Sequence, residues 1–164
     1  PNITLGVNVL MLLTNLAASI LNNYDFQITE IHHKRKVDVP SGTAIKIAGE
    51  IKKGLDSAGV SIKEKVIPIN AVRAGGVVGR HEVMIVGEDD KIEISHESFS
   101  RRAFALGAIK AIEFIHDKVG YYEMSDVLNL HKVLEDYIEK EQIKRKKKYK
   151  KCRNDVEESP VSVV

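Results

Sequence analysis

The spacing of apolar and polar residues along the 164-residue chain changes period several times, and each change marks an element. Gly6 to Asn22 is apolar almost all round, with Val7, Val9, Leu10, Met11, Leu12, Leu13, Leu16, Ile20 and Leu21. This predicts a helix covered on more than one side. Tyr24 to His33 reads as a strand, because Phe26, Ile28 and Thr29 favour a pleated surface. From Ser41 to Lys53 a helical stripe of Ala44, Ile47, Ala48, Ile51 and Leu55 stands opposite Lys46, Glu50 and Lys53, and Gly54 suits the position just past the helix. Lys63 to Val72 reads as a strand weakened at Pro68. His81–Gly87 and Lys91–Phe99 alternate like the arms of a hairpin turning at Glu88-Asp89-Asp90. Ser100 caps a helix to about Lys118, with Phe104, Ala108, Ala111, Ile112 and Ile115 inward. Gly120 ends it, and Ser125 caps a last short turn.

Composition changes this picture in one place. With 43% hydrophobic residues the chain can bury a core, and its formal charge is only +2. That charge is uneven: residues 131–164 carry ten Lys/Arg against seven Asp/Glu, leaving 15 against 16 in residues 1–130. The body, 1–130, is one near-neutral domain, and 131–164 is a charged tail whose last ten residues are expected to be disordered. The run Lys144-Arg145-Lys146-Lys147-Lys148-Tyr149-Lys150-Lys151 is read as solvated rather than as a nucleic-acid arm. Leu5 to Leu21 includes Asn8, Thr14, Asn15 and Ser19, so a buried helix is expected there and no membrane partner. Cys152, alone, cannot form an internal disulfide and suits a reducing cytoplasm. The chain opens on Pro1 with no visible signal peptide.

Candidate chemistry concentrates between Glu30 and Thr43. Strand alternation sends His32 and His33 to opposite faces. Ser41 is a good N-cap, so the N–H groups of Gly42, Thr43 and Ala44 sit at a positive helix end, a seat for a carboxylate or phosphate. Lys36 lies in the intervening loop and can reach the same anion. The competing readings are a basic loop before an ordinary capped helix, and a metal site, for which adjacent histidines have the wrong spacing. His81 and His96 are read as structural. Arg73 to Gly79 is Gly-rich, but Ala74 takes the first glycine position of a dinucleotide fingerprint and a strand follows, so a turn with positive φ is expected instead.

Glu30-x-His32-His33-x-x-Lys36-x-Asp38-x-Pro40-Ser41-Gly42-Thr43-Ala44 resembles the signature of the dihydrodipicolinate reductase family, the 4-hydroxy-tetrahydrodipicolinate reductases of lysine and diaminopimelate synthesis. Arg73-x-Gly75, Gly79-x-His81, Ile94-x-His96, Ser100-Arg101 with Phe104-Ala105-x-Gly107-Ala108, and Tyr122-x-Met124-x-Asp126-Val127-Leu128 resemble its later landmarks, in order. Ile3 stands where the family usually has Phe, and Arg80 where Glu is common.

The resemblance implies an α+β domain, a mixed β-sheet with helices packed on one face, that binds substrate and forms homotetramers. Family members begin with a Rossmann domain, and its glycine fingerprint is not in this sequence. The resemblance further implies hydride transfer from NADPH or NADH to a small cyclic dicarboxylate. His32 would be the general acid/base and Lys36 the proton donor or stabilising cation. His33, Ser41, Gly42 and Thr43 would bind substrate, and Asn2, Ile3, Arg101 and Phe104 would lie toward the cofactor. No metal is implied. The fragment is expected to be inactive alone; the alternative is a non-catalytic binding or assembly module that keeps the dicarboxylate site.

Overall fold

A computed structural model of the chain describes residues 2–61 and 66–157, which fall into two units, 1–124 and 125–164. The first unit contains α1 (Leu5–Ile20), β1 (Asp25–His32), α2 (Gly42–Ser57), β2 (Ile69–Arg73), β3 (Gly79–Val86), β4 (Lys91–Ser98) and α3 (Arg102–Ile115). The sheet order is β2-β1-β3-β4, with β1 parallel to β2 and antiparallel to β3, and β3 antiparallel to β4. This is the mixed sheet of an α+β fold.

The core lies between one sheet face and helices α1 and α2. β1 turns Phe26, Ile28, Glu30 and His32 inward, and β3 turns Gly79, His81, Val83 and Ile85. The inner faces therefore read apolar at one end and chemical at the other. Ile28, Ile47, Ile51, Leu55, Val83 and Ile85 are completely buried. Six such side chains contribute on the order of 10 kcal/mol or more of transfer free energy, opposed by the entropy of ordering the chain.

Ser41 caps α2 as expected, its hydroxyl accepting from the Ala44 N–H at 3.2 Å. The helix does not stop at Lys53, however. Gly54 is buried inside it, where a Cβ would run into the Asn15 carbonyl and the Ala18 methyl of α1. Its role is close helix approach, and Gly59, at φ 79°, is the positive-φ glycine beyond the helix end. The second strand begins only at Ile69. Residues 62–65 of the strand expected there lie outside the described residues. The Pro68 carbonyl accepts from the Ile28 N–H at 3.0 Å just ahead of β2.

Two burial expectations need correction. α1 is covered on one side within this unit: Val7, Leu10, Met11, Thr14 and Ala18 are buried, whereas Val9, Leu13, Leu16 and Ile20 are exposed. In α3 only Gly107 is fully buried, seated on the Ile3 carbonyl, and Ile112 and Ile115 face outward. The helix touches the body near its start, so its later apolar residues find no cover there. Asp117, at φ 60°, turns the chain before Gly120 is reached.

The second unit holds the helix α5 (Leu130–Glu157), after the single turn α4 (Met124–Val127). Helix continues to Glu157 in a stretch read as partly disordered, and residues 158–164 lie outside the described residues. Lys, Arg, Glu and Gln are good helix formers, and Lys132–Asp136 and Glu141–Lys144 pair along the surface. No described helix is long and apolar enough to cross a membrane.

Candidate active site

Beyond His32 the strand gives way to a turn tied to the Gly-rich segment. The Ala74 N–H donates to the His32 carbonyl at 2.9 Å, and the Lys34 N–H to Gly75 at 3.2 Å. Gly75, at φ 50°, supplies the positive φ expected of this loop. Because β1 ends at His32, strand alternation does not carry on to His33, and both rings line one cavity of about 450 Å³. The volume lies within the range of small-molecule sites.

The N-terminal segment, the turn, the start of α2, the sheet end and the start of α3 all contribute to this cavity. Asn2, His32, His33, Lys36, Thr43, Arg101 and Phe104 line it, as do Arg35, His81 and His96, and among the described residues no carboxylate does. Asn2 is fixed in place: its Nδ2 donates to Thr43 Oγ1 at 2.8 Å and its Oδ1 accepts from the Thr4 N–H at 2.9 Å. Lys36 pairs with Asp38 at 2.8 Å, which holds the Asp38 carboxyl below its usual range. Ile3, Ser41 and Gly42 are not part of the wall.

Ser41 instead works behind it. Its hydroxyl lies 3.2 Å from His81 Nε2, and its N–H donates to Glu30 Oε1 at 3.0 Å. Of the three helix-end N–H groups, that of Ala44 is taken by Ser41 and that of Gly42 serves Asp38. An incoming anion therefore meets mainly side chains and Thr43 rather than three free amides.

Glu30 is completely buried yet charged. Burial pushes its carboxyl up, but the Arg73 guanidinium at 2.7 Å and the Ser41 N–H outweigh that and hold it below the usual range. His32 Nδ1 lies 2.5 Å from Glu30 Oε2. Burial lowers the pKa of His32 despite that carboxylate, and burial followed by the nearby His32 ring pushes His81 down to about 4. The two rings meet edge to face at 5.1 Å. Both are thus neutral near pH 7.

Donor atoms of Glu30, His32 and His81 lie within 4.8 Å of one another, near enough to surround one cation. Each is already committed: Glu30 to Arg73, Ser41 and His32, and His81 to Ser41. Two permanent cations, Arg73 and Lys36, also act on this cluster. The arrangement suits proton transfer and anion binding better than a metal.

Sequence reasoning read His81 and His96 as structural, and both reach the cavity. The cue was their pairing: they face each other directly in the β3–β4 register, on the inward face. Glu30 stood in the signature without a role, since nothing in sequence shows a strand glutamate to be completely buried.

A family model described as dihydrodipicolinate reductase, C-terminus, matches residues 6–128. The 4-hydroxy-tetrahydrodipicolinate reductase of Clostridium perfringens is 41% identical over 142 residues, covering 79% of this chain and 56% of that protein. That of Herminiimonas arsenicoxydans is 44% identical over 144 residues, covering 79% of this chain and 54% of that protein. A solved structure, dipicolinate-bound dihydrodipicolinate reductase from Paenisporosarcina sp. TG-14, superposes with a TM-score of 0.58 at 29% identity, covering 69% of this chain and 47% of that one. The chain spans about half the length of the relatives it matches. With the signature, the mixed sheet and the match to residues 6–128 in agreement, the chain belongs to the dihydrodipicolinate reductase family, over its C-terminal domain.

Proposed function

We propose that this chain is the substrate-binding and oligomerisation part of a cytoplasmic 4-hydroxy-tetrahydrodipicolinate reductase in lysine and diaminopimelate synthesis. The observation that carries the reading is the cavity wall: Lys36, Arg35, Arg101 and four histidines, with no carboxylate among the described residues that line it. A cyclic dicarboxylate brings two negative charges, and cations in a partly closed site bind them far better than cations in open water. Lys36 and His33 would take one carboxylate with the Thr43 hydroxyl, and Ser41 and Gly42 would support that end by holding the start of α2. The dipicolinate in the Paenisporosarcina structure supports this ligand class.

Reduction of a conjugated imine needs a proton as well as a hydride. NADPH or NADH, when bound, would supply the hydride. On this chain, Asn2, Arg101 and Phe104 of the cavity wall would hold such a group, with the Ile3 carbonyl packed against Gly107 of α3 beside them. No dinucleotide fingerprint lies in these 164 residues, so the contacts would concern one end of the cofactor. His32, neutral near pH 7, exchanges the proton with substrate. Lys36 stabilises the negative charge that develops there. Homotetramers would form through the sheet face opposite α1 and α2, where alternation places Gln27, Thr29, Ile31, Glu82 and Met84.

The test is a calorimetric titration of the folded chain with pyridine-2,6-dicarboxylate, beside Lys36→Ala. Saturable binding that the substitution abolishes supports the reading; a folded chain that ignores the ligand overturns it for the isolated domain. A second reading, a binding or assembly module without turnover, draws on the chain's half-length match to its relatives. Turnover on adding a separately made cofactor domain would dispose of that alternative.

A further inference from the structure

Glu30 lies two residues before His32 on β1, so both side chains point to the same face of the sheet. Its Oε2 and His32 Nδ1 are buried and 2.5 Å apart, and neither atom makes an aligned hydrogen bond to any described residue, so the short contact between them is the one each has. The other carboxylate oxygen, Oε1, accepts from Arg73 Nη2 on β2 at 2.7 Å and from the Ser41 N–H before α2 at 3.0 Å. Donors from two other places in the fold therefore clamp one oxygen of this carboxylate. The far edge of the ring, at Nε2, lies against Gly79, where an added Cβ would come within 3.1 Å, and His32 and Gly79 both line the cavity.

From this geometry we propose that Glu30 is a positioning residue, which takes the Nδ1–H of His32 and leaves Nε2 of the neutral ring as the proton-exchanging atom in the cavity. The catalytic side of this inference rests on the reading of His32 given above. A neutral imidazole carries one proton, and the partner of one nitrogen decides which nitrogen keeps it. A clamped carboxylate on Nδ1 also compensates the imidazolium, the logic by which a buried acid orients the histidine of a hydrolytic triad.

The proton balance is simple. When the imidazolium gives its Nε2 proton to substrate, that N–H bond breaks, the new bond forms on substrate, and the ring returns to the Nδ1–H form. Glu30 remains ionised throughout, because Arg73 and the Ser41 N–H stay on its second oxygen. The other titratable groups facing the ring are His81 from β3 and Lys36 from the turn, with His96 of β4 behind His81. None of these supplies a negative charge, so Glu30 alone among them favours the imidazolium.

The experiment is ¹⁵N–¹H correlation of the histidine rings in the intact chain across pH, with His32 assigned by His32→Gln. In the unsubstituted protein near pH 7, Nδ1 of His32 is expected to bear the proton and Nε2 to show the shift of an unprotonated nitrogen. In Glu30→Gln the His32 midpoint should fall by about one pH unit or more, and the proton should redistribute toward Nε2. The exposed ring of His116 serves as an internal control. A packing role alone would move neither observable.

An Nε2–H tautomer in the unsubstituted chain overturns the proposal, as does a folded Glu30→Gln variant with unchanged tautomer and midpoint. If that variant does not fold, the unsubstituted spectrum decides by itself. A chain with the expected tautomer that fails to bind pyridine-2,6-dicarboxylate would sink the proposed function and leave the positioning role standing.

Discussion

Arg73 Nη2 stands 2.7 Å from Glu30 Oε1 and 2.8 Å from the Asp38 carbonyl, so one guanidinium neutralises the buried acid and also secures the turn that carries Lys36. His32 and Arg73 are register partners across the parallel β1–β2 pair, which places the guanidinium beside the Glu–His contact. Removing it leaves a carboxylate with no exposed surface and no full counter-charge. Arg73→Met should therefore cost about 3–5 kcal/mol. Urea unfolding checks this through a lowered midpoint at unchanged slope. A loss below about 1 kcal/mol would mean that Glu30 is not buried as an ion.

Acid should weaken the fold before carboxylates titrate. His81 has an ordinary value near 6.5 when unfolded and about 4 when folded. Between those values the unfolded chain binds more protons, so stability rises with pH across the window. Its contribution is complete above about pH 6.5 and is lost as pH falls toward 4. A displacement of that size is worth about 3 kcal/mol. Burial lowers His32 and His96 as well, which acts in the same direction, and the lowered Glu30 adds a further loss at more acid pH. Thermal melts at pH 7, 6, 5 and 4 should show a steady fall that His81→Gln flattens. An unchanged pH slope in that variant would contradict the assignment.

Much of this was legible from the chain. Period-2 and period-3.6 stripes located β1, the β3–β4 hairpin and α2, because their apolar faces meet one another inside a single unit. The failures have a common cause: α1 and α3 carry apolar residues such as Leu13 and Ile112 that this unit does not cover, so pattern alone overstated their burial. Gly54 misled for another reason, since a glycine beyond a helix and a glycine under a crossing helix look alike in sequence. At the site, the signature drew attention to His32, His33 and Lys36. The roles of Arg73 and His81 depend on β1 pairing with strands about forty or more residues away, which no local pattern encodes.

The crossing of α1 over α2 offers a direct test of that glycine. A methyl at Gly54 would meet the Asn15 carbonyl and sit 2.8 Å from Ala18 Cβ. Backbone cannot retreat as a flexible side chain can, so the two helices must separate. Gly54→Ala should destabilise by about 1–3 kcal/mol, although alanine is the better helix former. Gly49→Ala, on the same helix with open space around it, should be neutral or slightly stabilising. Equal effects of the two substitutions in urea would remove the packing explanation.

Gly79 tests whether the position of the His32 ring matters to ligand binding apart from stability. A Cβ there would lie 3.1 Å from His32 Nε2 and 3.3 Å from Cδ2, tight enough to push the ring by a few tenths of an ångström. The ring cannot yield freely, because its other edge is held by Glu30. In a strand, alanine is otherwise favoured over glycine by roughly 0.5–1 kcal/mol, so the fold should lose little. Gly79→Ala is therefore expected to leave the urea midpoint near its original value while weakening pyridine-2,6-dicarboxylate binding about tenfold, the loss of one charge-assisted hydrogen bond. Full affinity in the folded variant would mean that the ligand does not depend on where Nε2 stands, and proton transfer from His32 would then need a geometry other than the one described.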